Sequence, residues 1–385
     1  MASEWTTVRV ADFIEFNPRL SIKKGTMATK IAMDKLQPFT KTIPAMERAE
    51  FAGGSKFCNG DTIMARITPC LENGKTAFID VLADGEVAFG STEFIVMRAR
   101  PGVSDPQFVY YLATSPMFRN VAIKSMVGSS GRQRVQQGVL EKLELTVPPL
   151  DEQKKIGVFL AALDKKIALN SKINDHLQQQ ASTLFARYYE QANDTVPFPS
   201  VIQILGGGTP KTGNPLFWNG NVPFFTPKDV GSPYTLTTEK TITEDGLAHC
   251  NSRLYPINTV FVTARGTVGK VGMPGVPMAM NQSCYALVGK GIDQLMVYFY
   301  TLQTVQALKH KASGAVFDAI TTRDFETETI RLIPDRAAAE FLSVATPMFS
   351  QILGNSIENL RLAELRDTLL PRIMTGEIDV SGIEA

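Results

Sequence analysis

The sequence has few of the residues that metal sites, disulfide frameworks and membrane spans require. Its 385 residues include four cysteines and three histidines. The cysteines share no metal-ligand or disulfide spacing, and the histidines lie far apart, so we expect neither a metal cluster nor a Ser/His/Asp arrangement. No apolar run approaches the ~20 residues of a membrane span, and the first residues lack a signal peptide's basic and apolar regions. We therefore expect reduced thiols, no membrane partner and a cytoplasmic location.

The charge pattern does not identify a ligand class by itself. The net charge is +1 and charged residues make up 20% of the chain, values that neither favour nor exclude a nucleic-acid partner. Residues 335–385 hold 4 Lys and Arg against 8 Asp and Glu, a net charge of −4. We interpret this acidic segment as a weak indication of a protein-docking surface.

Heptad periodicity predicts a long helix from Asp151 to Tyr189. It begins after Pro148-Pro149, and Asp151 is its expected N-cap. The interface positions form two rows of a heptad repeat. One row is Ile156, Leu163, Asn170, Leu177 and Leu184, and the other is Leu160, Ile167, Asn174, Ala181 and Tyr188. A helix this long, at ~1.5 Å per residue, cannot bury its apolar stripe alone, so it requires a partner.

The partner helix is a repeat of the same pattern 185 residues later in the chain. Asn170 corresponds to Asn355 and Asn174 to Asn359. A buried Asn in a coiled coil costs stability but fixes the alignment of the helices, because only one alignment lets the amides pair. We therefore predict that these four asparagines set the helix register.

Shorter matches extend the repeat to the segments that precede each helix. They pair Ala65-Arg66-Ile67-Thr68 with Ala264-Arg265-Gly266-Thr267, Asn73-Gly74-Lys75 with Val268-Gly269-Lys270, and Val109-Tyr110-Tyr111 with Val297-Tyr298-Phe299. Shorter helices are expected at Asp105–Phe118 and around Gln294–Lys311. The predicted boundaries are 1–147 for the first globular domain, 148–190 for the central helix, 191–332 for the second domain, 333–376 for the C-terminal helix and 377–385 for a tail.

The sequence contains only partial matches to catalytic motifs. Gly74-Lys75-Thr76 is similar to the end of a phosphate-binding loop, but Pro69 stands where the leading Gly is required. Glu152-Gln153-Lys154 has a spacing seen in some nucleases, but it lies in the first turn of a helix and has no upstream Pro-Asp. No Asn-Pro-Pro-aromatic tetrapeptide of an amino-methyltransferase occurs. We conclude that this chain carries no reaction of its own.

Three motifs resemble those of the specificity (S) subunits of type I restriction–modification systems. They are Pro148-Pro149-Leu150-Asp151-Glu152-Gln153-Lys154-Lys155-Ile156, then Gly207-Gly208-Thr209-Pro210-Lys211-Thr212 with Trp218-Asn219-Gly220 and Thr226-Pro227-Lys228-Asp229, and finally Leu365-Arg366-Asp367-Thr368-Leu369-Leu370-Pro371-Arg372-Ile373-Met374-Thr375-Gly376. The resemblance covers essentially the whole chain. It implies an α+β fold with two pseudo-repeated mixed α/β target recognition domains, separated by two long antiparallel helices that form a coiled-coil spacer.

The resemblance also implies partners. Each recognition domain would contact one half of a split, asymmetric target in double-stranded DNA. The helices would dock two methyltransferase (M) subunits, with restriction (R) subunits outside them. S-adenosylmethionine, ATP and Mg²⁺ would be bound by those partners and not by this chain. Half-sites on one face of the DNA would lie about one helical turn, roughly 34–36 Å, apart.

The DNA-contacting residues are predicted from side-chain chemistry. Arg pairs with guanine and Asn or Gln with adenine, whereas Lys, Ser and Thr mostly hold phosphates. The predicted base-reading residues are Arg132, Gln133 and Arg134 in the first domain, and Thr321, Thr322 and Arg323 in the second. The predicted phosphate contacts are Lys75, Ser130, Lys211, Lys228, Lys270 and Ser313. Thr212 is a further predicted DNA-contacting residue. Arg66 and Arg265 are either a shared phosphate contact or a shared structural ion pair.

Two other function classes remain open at this point. The chain could be a structural adaptor whose domains bind protein or glycan, since only the basic Gly/Ser loops favour DNA. It could also be a relative that guides methylation only, or that serves another phage-defence system. The subunits that co-purify with the chain would separate these alternatives.

Overall fold

The structure, a computed structural model, describes residues 5–129, 131–231, 233–311, 319–380 and 382. The chain divides into two compact units. Unit 1 comprises Met1–Leu169 with Leu360–Ala385, and unit 2 comprises Asn170–Asn359. Each unit therefore contains one globular domain and part of both long helices. None of the described helices is both long and apolar enough to cross a membrane.

Short strands and helices alternate in the first half of the chain. The strands are β1 (Thr6–Arg9), β2 (Ile14–Phe16), β3 (Met27–Ile31), β4 (Glu47–Glu50), β5 (Lys56–Phe57), β6 (Thr62–Ala65), β7 (Thr76–Phe78), β8 (Ala88–Gly90), β9 (Phe94–Ala99) and β10 (Glu144–Val147). The helices are α1 (Val10–Phe13), α2 (Pro106–Thr114), α3 (Pro116–Lys124), α4 (Gln137–Lys142) and α5 (Leu150–Gln191), with a 3₁₀ turn at Met33–Lys35.

The second half follows a similar order, again with ten strands and five helices among the described residues. The strands are β11 (Thr195–Pro197), β12 (Ile202–Gly206), β13 (Trp218–Phe225), β14 (Tyr234–Thr235), β15 (Lys240–Ile242), β16 (Val260–Thr263), β17 (Val271–Pro274), β18 (Ala279–Met280), β19 (Cys284–Gly289) and β20 (Thr329–Arg331). The helices are α6 (Phe198–Val201), α7 (Glu244–Ala248), α8 (Gln294–Lys311), α9 (Thr322–Glu326) and α10 (Asp335–Met374), with a 3₁₀ turn at Pro215–Phe217.

The two domains share one sheet arrangement. The order is β2-β9-β6-β7 in unit 1 and β12-β19-β16-β17-β14 in unit 2. The pairs β1–β10 and β11–β20 also correspond, and each leads into a long helix. A second sheet differs between the domains, with order β4-β3-β8-β5 in unit 1 and β15-β13-β18 in unit 2. The prediction of two pseudo-repeated mixed α/β domains with two long helices is confirmed.

The strand ladders confirm one sequence match of the repeat. The backbone oxygen of Lys75 accepts a hydrogen bond from Ala65, and that of Lys270 accepts one from Thr263 in the corresponding place. The preceding residues, Gly74 and Gly269, both have φ of 71°, a left-handed conformation that glycine adopts without strain. Lys75 and Lys270 are therefore equivalent residues.

The match of Arg66 with Arg265 is wrong by one residue. The backbone N–H of Arg66 donates to Glu93, whereas in the second domain the N–H of Ala264 donates to the equivalent Ser283 at 2.8 Å, and that of Arg265 donates to the same oxygen at 3.3 Å. The carbonyl oxygens of Arg66 and Ala264 also correspond, since they accept from Val135 and Ile320. Side chains alternate between the faces of a strand, so a one-residue shift changes the direction of the side chain. Arg66 is half-buried and Arg265 is exposed, and the two arginines do not share a structural role.

Two predicted element boundaries also need correction. The helix expected over Asp105–Phe118 is two helices, α2 and α3, separated at Ser115, because Pro116 cannot donate within a helix and starts a new one. Asp105 caps α2 by accepting from the backbone N–H of Phe108 at 3.0 Å. Asp151, the expected N-cap of the central helix, lies inside α5, which begins at Leu150.

The long helices pack antiparallel within unit 2. Asn170 of α5 contacts Asn359 of α10, whereas Phe185, further along α5, contacts the earlier residue Phe341 with ring centroids 5.5 Å apart. Phe185 also stacks on Phe299 of α8 at 4.9 Å. In unit 1, Ile156 and Leu160 of α5 share a buried core with residues of α10 and α2. Each domain core thus includes both long helices.

Candidate nucleic-acid interface

The two arginines of the predicted base-reading loop in unit 1 differ in their contacts. Arg134 forms an ion pair with Glu93, with 2.6 Å between Nη2 and Oε1, and this hydrogen bond lowers the pKa of the Glu93 carboxyl. The backbone N–H of Arg134 also donates to the carbonyl oxygen of Val127, and the N–H of Val127 donates to that of Arg134. Arg132 is exposed, and its guanidinium makes no hydrogen bond within the described ranges. Arg132 is therefore more available than Arg134 for contact with a DNA base. Ser130 lies outside the described residues.

Gln133 is held between these arginines by backbone bonds. Its N–H donates to Thr68 Oγ1 at 3.0 Å, and its carbonyl accepts from the Thr68 N–H at 3.0 Å. These bonds fix the loop against the strand that continues from β6. The Gln133 side chain is half-buried. Arg132 therefore lies next to a loop segment whose backbone is fixed by hydrogen bonds to Thr68.

Two other predicted residues of unit 1 donate side-chain hydrogen bonds to backbone oxygens of the same domain. Arg66 Nη2 donates to the backbone oxygen of Val135 at 3.2 Å. Lys75 Nζ donates to the backbone oxygen of Met33 at 2.9 Å. Both side chains are half-buried. A phosphate contact by either would compete with these bonds.

Unit 2 presents most of its predicted residues to solvent. Lys228 makes a long ion pair with Glu239, at 3.7 Å, with both side chains largely exposed. The exposed predicted residues of this unit are Lys211, Thr212, Lys228, Arg265, Lys270, Thr321, Thr322 and Arg323. Ser313 lies outside the described residues.

Thr321 has a structural partner that the sequence analysis missed. Its hydroxyl donates to Asp324 Oδ2 at 2.7 Å, and its backbone N–H donates to the same oxygen at 2.6 Å. These bonds close the first turn of α9, as expected of a residue at a helix N-terminus. Thr322 and Arg323, in that first turn, remain exposed. The threonine-to-acid spacing Thr321-x-x-Asp324 was the available sequence signal.

Several motif residues shape the second domain rather than form a contact surface. Asp229 accepts from the backbone N–H and the hydroxyl of Thr226, at 2.8 and 2.6 Å. A Cβ on Gly207 would lie 2.1 Å from the backbone oxygen of Asn281, so only glycine fits there. The Trp218 ring lies edge-on to Phe224 with centroids 5.5 Å apart. The Thr-Pro-Lys-Asp and Gly-Gly motifs therefore stabilise turns that carry Lys211 and Lys228.

The four asparagines meet at the helix interface. Asn170 Nδ2 donates to Asn359 Oδ1 at 2.9 Å, and Asn355 Nδ2 donates to Asn174 Oδ1 at 2.8 Å. Asn170 also donates to Glu358 Oε2 at 2.7 Å. Asn170 and Asn355 are buried. The two pairs have the reciprocal pattern expected of a repeated interface, and their role in setting the register stays a prediction.

A buried charged cluster in unit 1 was not predicted. Asp164 of α5 accepts from the Tyr111 hydroxyl at 2.5 Å and from Arg366 Nη1 of α10 at 2.5 Å. Lys41 Nζ donates to Tyr111 at 3.2 Å and to the side chain of Gln107. We refer to Lys41, Tyr111, Asp164 and Arg366 as the charged hub. The heptad analysis missed it because Asp164 lies beside, not on, the two predicted rows.

Burial and neighbouring charges both shift pKa values in this hub, and for Lys41 and Arg366 they act in opposite directions. Burial lowers the pKa of Lys41 to about 8, although the Asp164, Asp80 and Asp105 carboxylates oppose the shift. Burial raises the pKa of Tyr111, and Asp164 raises it further, so the hydroxyl remains a donor. Burial alone would lower the pKa of Arg366, but Asp164 and Asp367 outweigh it and raise that pKa. Asp164 and Arg366 therefore remain an ion pair.

Known specificity subunits are similar to this chain over most or part of its length. The family described as "Type I restriction modification DNA specificity domain" matches residues 2–179 and 193–345. The type I restriction enzyme HindI specificity subunit of Haemophilus influenzae is 25% identical, over 83% of this chain and 86% of that protein. The EcoAI specificity subunit of Escherichia coli is 29% identical over 47% of this chain and 30% of its own length.

A solved structure agrees in fold. The type I restriction–modification S subunit from M. genitalium matches with a TM-score of 0.58 and 12% identity, over 97% of this chain and 96% of that one. The family match covers most of the chain and includes both globular domains. Its two matched segments correspond to the two repeated domains of the structure. The chain therefore belongs to the type I restriction–modification DNA specificity family, as a specificity subunit with two target recognition domains.

Proposed function

We propose that each recognition domain of this chain reads one half of a bipartite, asymmetric DNA target. The observation that carries this proposal is a common scaffold with different exposed surfaces. Unit 1 presents Arg132 from a loop next to β6, whereas unit 2 presents Thr322 and Arg323 on the first turn of α9. Unlike surfaces on equivalent scaffolds are suited to unlike half-sites, because base identity is read by the side chains that reach the groove.

Lysines and backbone amides would supply the contacts that are independent of sequence. Lys211, Lys228 and Lys270 are exposed in unit 2, and cationic side chains bind phosphates by releasing counterions. Lys75 is the equivalent of Lys270 in unit 1, but it is bonded to Met33. The phosphate contacts of the two domains would therefore differ in number.

The paired helices would set the gap between half-sites and dock two methyltransferase subunits. Both helices carry large apolar side chains that are exposed in this chain: Val158, Leu169, Ile173, Val344 and Leu365. Exposed apolar side chains mark a protein-binding site where they form a patch, and the proposal requires that these side chains contact a partner. Restriction subunits would join through the methyltransferase subunits, and DNA with these subunits would form the full complex.

Catalysis would belong to the partners. Gly74-Lys75-Thr76 lacks the leading glycine of a phosphate-binding loop, and the sequence holds no amino-methyltransferase tetrapeptide. S-adenosylmethionine, ATP and Mg²⁺ would therefore be bound by the methyltransferase and restriction subunits. The complex would act in the cytoplasm, where the host DNA lies.

Sequencing of methylated bases in host DNA, with and without this gene, tests the proposal. A split, non-palindromic motif that disappears on deletion would establish it and would give both half-sites. A methylation pattern that is unchanged, in cells that express an active methyltransferase partner, would contradict it. Purification of the chain with its bound subunits would then show whether it serves as an adaptor for another ligand.

A further inference from the structure

The charged hub has an apolar counterpart at the equivalent place in unit 2. The 185-residue repeat relates Asp164 to Phe349 and, with the helices exchanged, Arg366 to Ala181. The matched α2 and α8 helices relate Tyr111 to Phe299. In unit 2, the Phe299 and Phe349 rings meet edge-on with centroids 5.6 Å apart. At this place one domain meets the helices through a charged cluster, whereas the other meets them through packed rings and one neutral hydrogen bond, from Gln178 Nε2 to the Tyr298 hydroxyl at 3.2 Å.

These two kinds of contact constrain geometry differently. Asp164 bonds through one oxygen to Tyr111 and through the other to Arg366, so it links α2, α5 and α10. Charge-assisted hydrogen bonds are short and directional, and they weaken steeply when a helix shifts or rotates. Apolar contacts are not directional and tolerate small sliding movements. The hub therefore restricts the orientation of α2 more tightly than ring packing restricts α8.

The loop that follows β3 and its 3₁₀ turn is also part of this linkage. Lys41 from that loop is 7% exposed and lies 4.8 Å from the centre of the Tyr111 ring. It bonds to Gln107 and Tyr111 of α2. Its carbonyl oxygen accepts from the backbone N–H of Phe78 in β7, at 3.1 Å. The hub thus connects the sheet of the first recognition domain to both long helices.

We propose that Asp164, with Tyr111, Arg366 and Lys41, positions the first recognition domain on the helix pair and thereby sharpens discrimination in one half-site. This inference rests on the proposed function. The four are positioning residues, since Lys41, Tyr111 and Asp164 are buried and the Arg366 side chain is only 11% exposed. They act through the orientation of α2 and the sheet. The second domain has Phe349 in place of Asp164, and the described residues place no ion pair at that position.

Stability alone would not require such a hub. A buried ion pair loses hydration on folding, and its replacement by apolar side chains of similar volume is often neutral or stabilising. Unit 2 shows that this fold accepts the apolar arrangement at the same position. A cavity of about 200 Å³ beside the hub, lined by Tyr111, Arg366 and Leu370 among others, leaves room for such a replacement.

The test replaces the whole hub at once with apolar residues. The variant carries Lys41→Met, Tyr111→Phe, Asp164→Leu and Arg366→Met, so that no buried charge is left unpaired. It is assembled with its methyltransferase partner, and binding is measured on the cognate duplex and on duplexes with one substitution in either half-site. We expect an unchanged or higher Tm, and a loss of discrimination of roughly five- to tenfold in one half-site only.

Two controls separate positioning from folding. Phe349→Leu changes the equivalent contact in unit 2 and should leave discrimination in both half-sites intact. Tyr111→Phe removes a single hydroxyl and keeps the Asp164–Arg366 ion pair. If the fourfold variant does not fold, the discrimination measured with Tyr111→Phe tests the inference instead. Reduced discrimination in one half-site at an unchanged Tm would support the inference, and unchanged discrimination would overturn it.

The remaining outcomes are also distinguishable. Full discrimination by a folded fourfold variant would overturn the inference and leave the proposed function intact. Equal loss in both half-sites would also overturn it, because a general loosening would then be the cause. A wild-type complex that discriminates in neither half-site would contradict the proposed function, and this inference with it.

Discussion

Asn170 and Asn359 form a side-chain amide pair across the two long helices, with 2.9 Å between Nδ2 and Oδ1. Asn174 and Asn355 form the reciprocal pair at 2.8 Å. A shift of one helix by a heptad would place these amides opposite apolar side chains such as Ile352 and Met348 and leave them unsatisfied. The cost of a buried polar group without a partner is about 1–3 kcal/mol, so each pair disfavours the alternative alignments.

Replacement of all four asparagines by Leu should therefore relax the helix register without unfolding the protein. We expect Tm to stay equal or rise, because buried Asn residues in coiled coils cost stability. The complex should tolerate half-site gaps that differ from the native one, as measured by methylation of duplexes with altered gaps. Thr183→Leu with Thr368→Leu, an exposed pair related by the same repeat, is the matched control. Unchanged gap tolerance in the fourfold variant would show that the amides do not set the register.

Arg132 and Arg134 should differ in their effect on DNA recognition. Arg132→Ala should cost ~1–3 kcal/mol at one base position of one half-site, the value of a good bidentate contact. Arg134→Ala should cost less, because Arg134 already pairs with Glu93 and would have to break that pair to reach a base. Binding to duplexes substituted at single positions measures both. Arg9→Ala, an exposed arginine on β1, serves as the control; an equal loss on all sequences would assign Arg132 to phosphate.

Lys75 and Lys270 occupy the same ladder position but should behave differently. Lys270→Ala should weaken binding uniformly across sequences and reduce the slope of log affinity against log salt by about 0.9, the value of one phosphate contact. Lys75→Ala should leave the salt slope unchanged and lower Tm, because Lys75 Nζ is bonded to Met33. Titrations at several salt concentrations test both variants. A salt slope that Lys270→Ala does not change would exclude Lys270 as a phosphate contact.

Lys41 should make stability depend on alkaline pH. Its pKa is about 8 in the folded protein and 10.5 as a reference, so the unfolded state binds the proton more tightly. The cost of the buried charge is complete below pH 8 and disappears as pH rises towards 10.5. Relative to Lys41→Met, wild type should gain ~3 kcal/mol over that range, measured by denaturant unfolding. Gln107→Met removes a bond to Lys41 but no titrating group, and should keep the wild-type slope. Parallel curves for wild type and Lys41→Met would contradict the prediction.

The repeat and the helices could be predicted from the sequence because their signals are local and periodic. Heptad positions recur over many turns, and a helix depends on residues three and four apart. The matched asparagines added a constraint between distant segments, and the structure pairs them as amides. The helix after Pro334 was predicted for the same reason.

The candidate site could be predicted only in part, because it depends on residues that are distant in sequence. Arg66 and Arg265 looked equivalent in sequence, but the hydrogen-bond ladders place them one residue apart, and strand register is set by pairing partners. Arg134 and Arg132 look alike in sequence, but in the structure Arg134 pairs with Glu93, which comes from a distant part of the chain. Thr321 looked like a contact residue, yet it closes a helix turn.

The sequence by itself determined that this protein has two copies of one unit, each ending in a long helix, since periodicity and repetition need no three-dimensional information. Only the tertiary structure decided how each domain is fixed to those helices. Asp164 gains its role from Tyr111 and Arg366, which approach it from other helices. Burial then makes their charges interact strongly. No local sequence pattern predicts these contacts, because they join residues that become neighbours only when the helices pack.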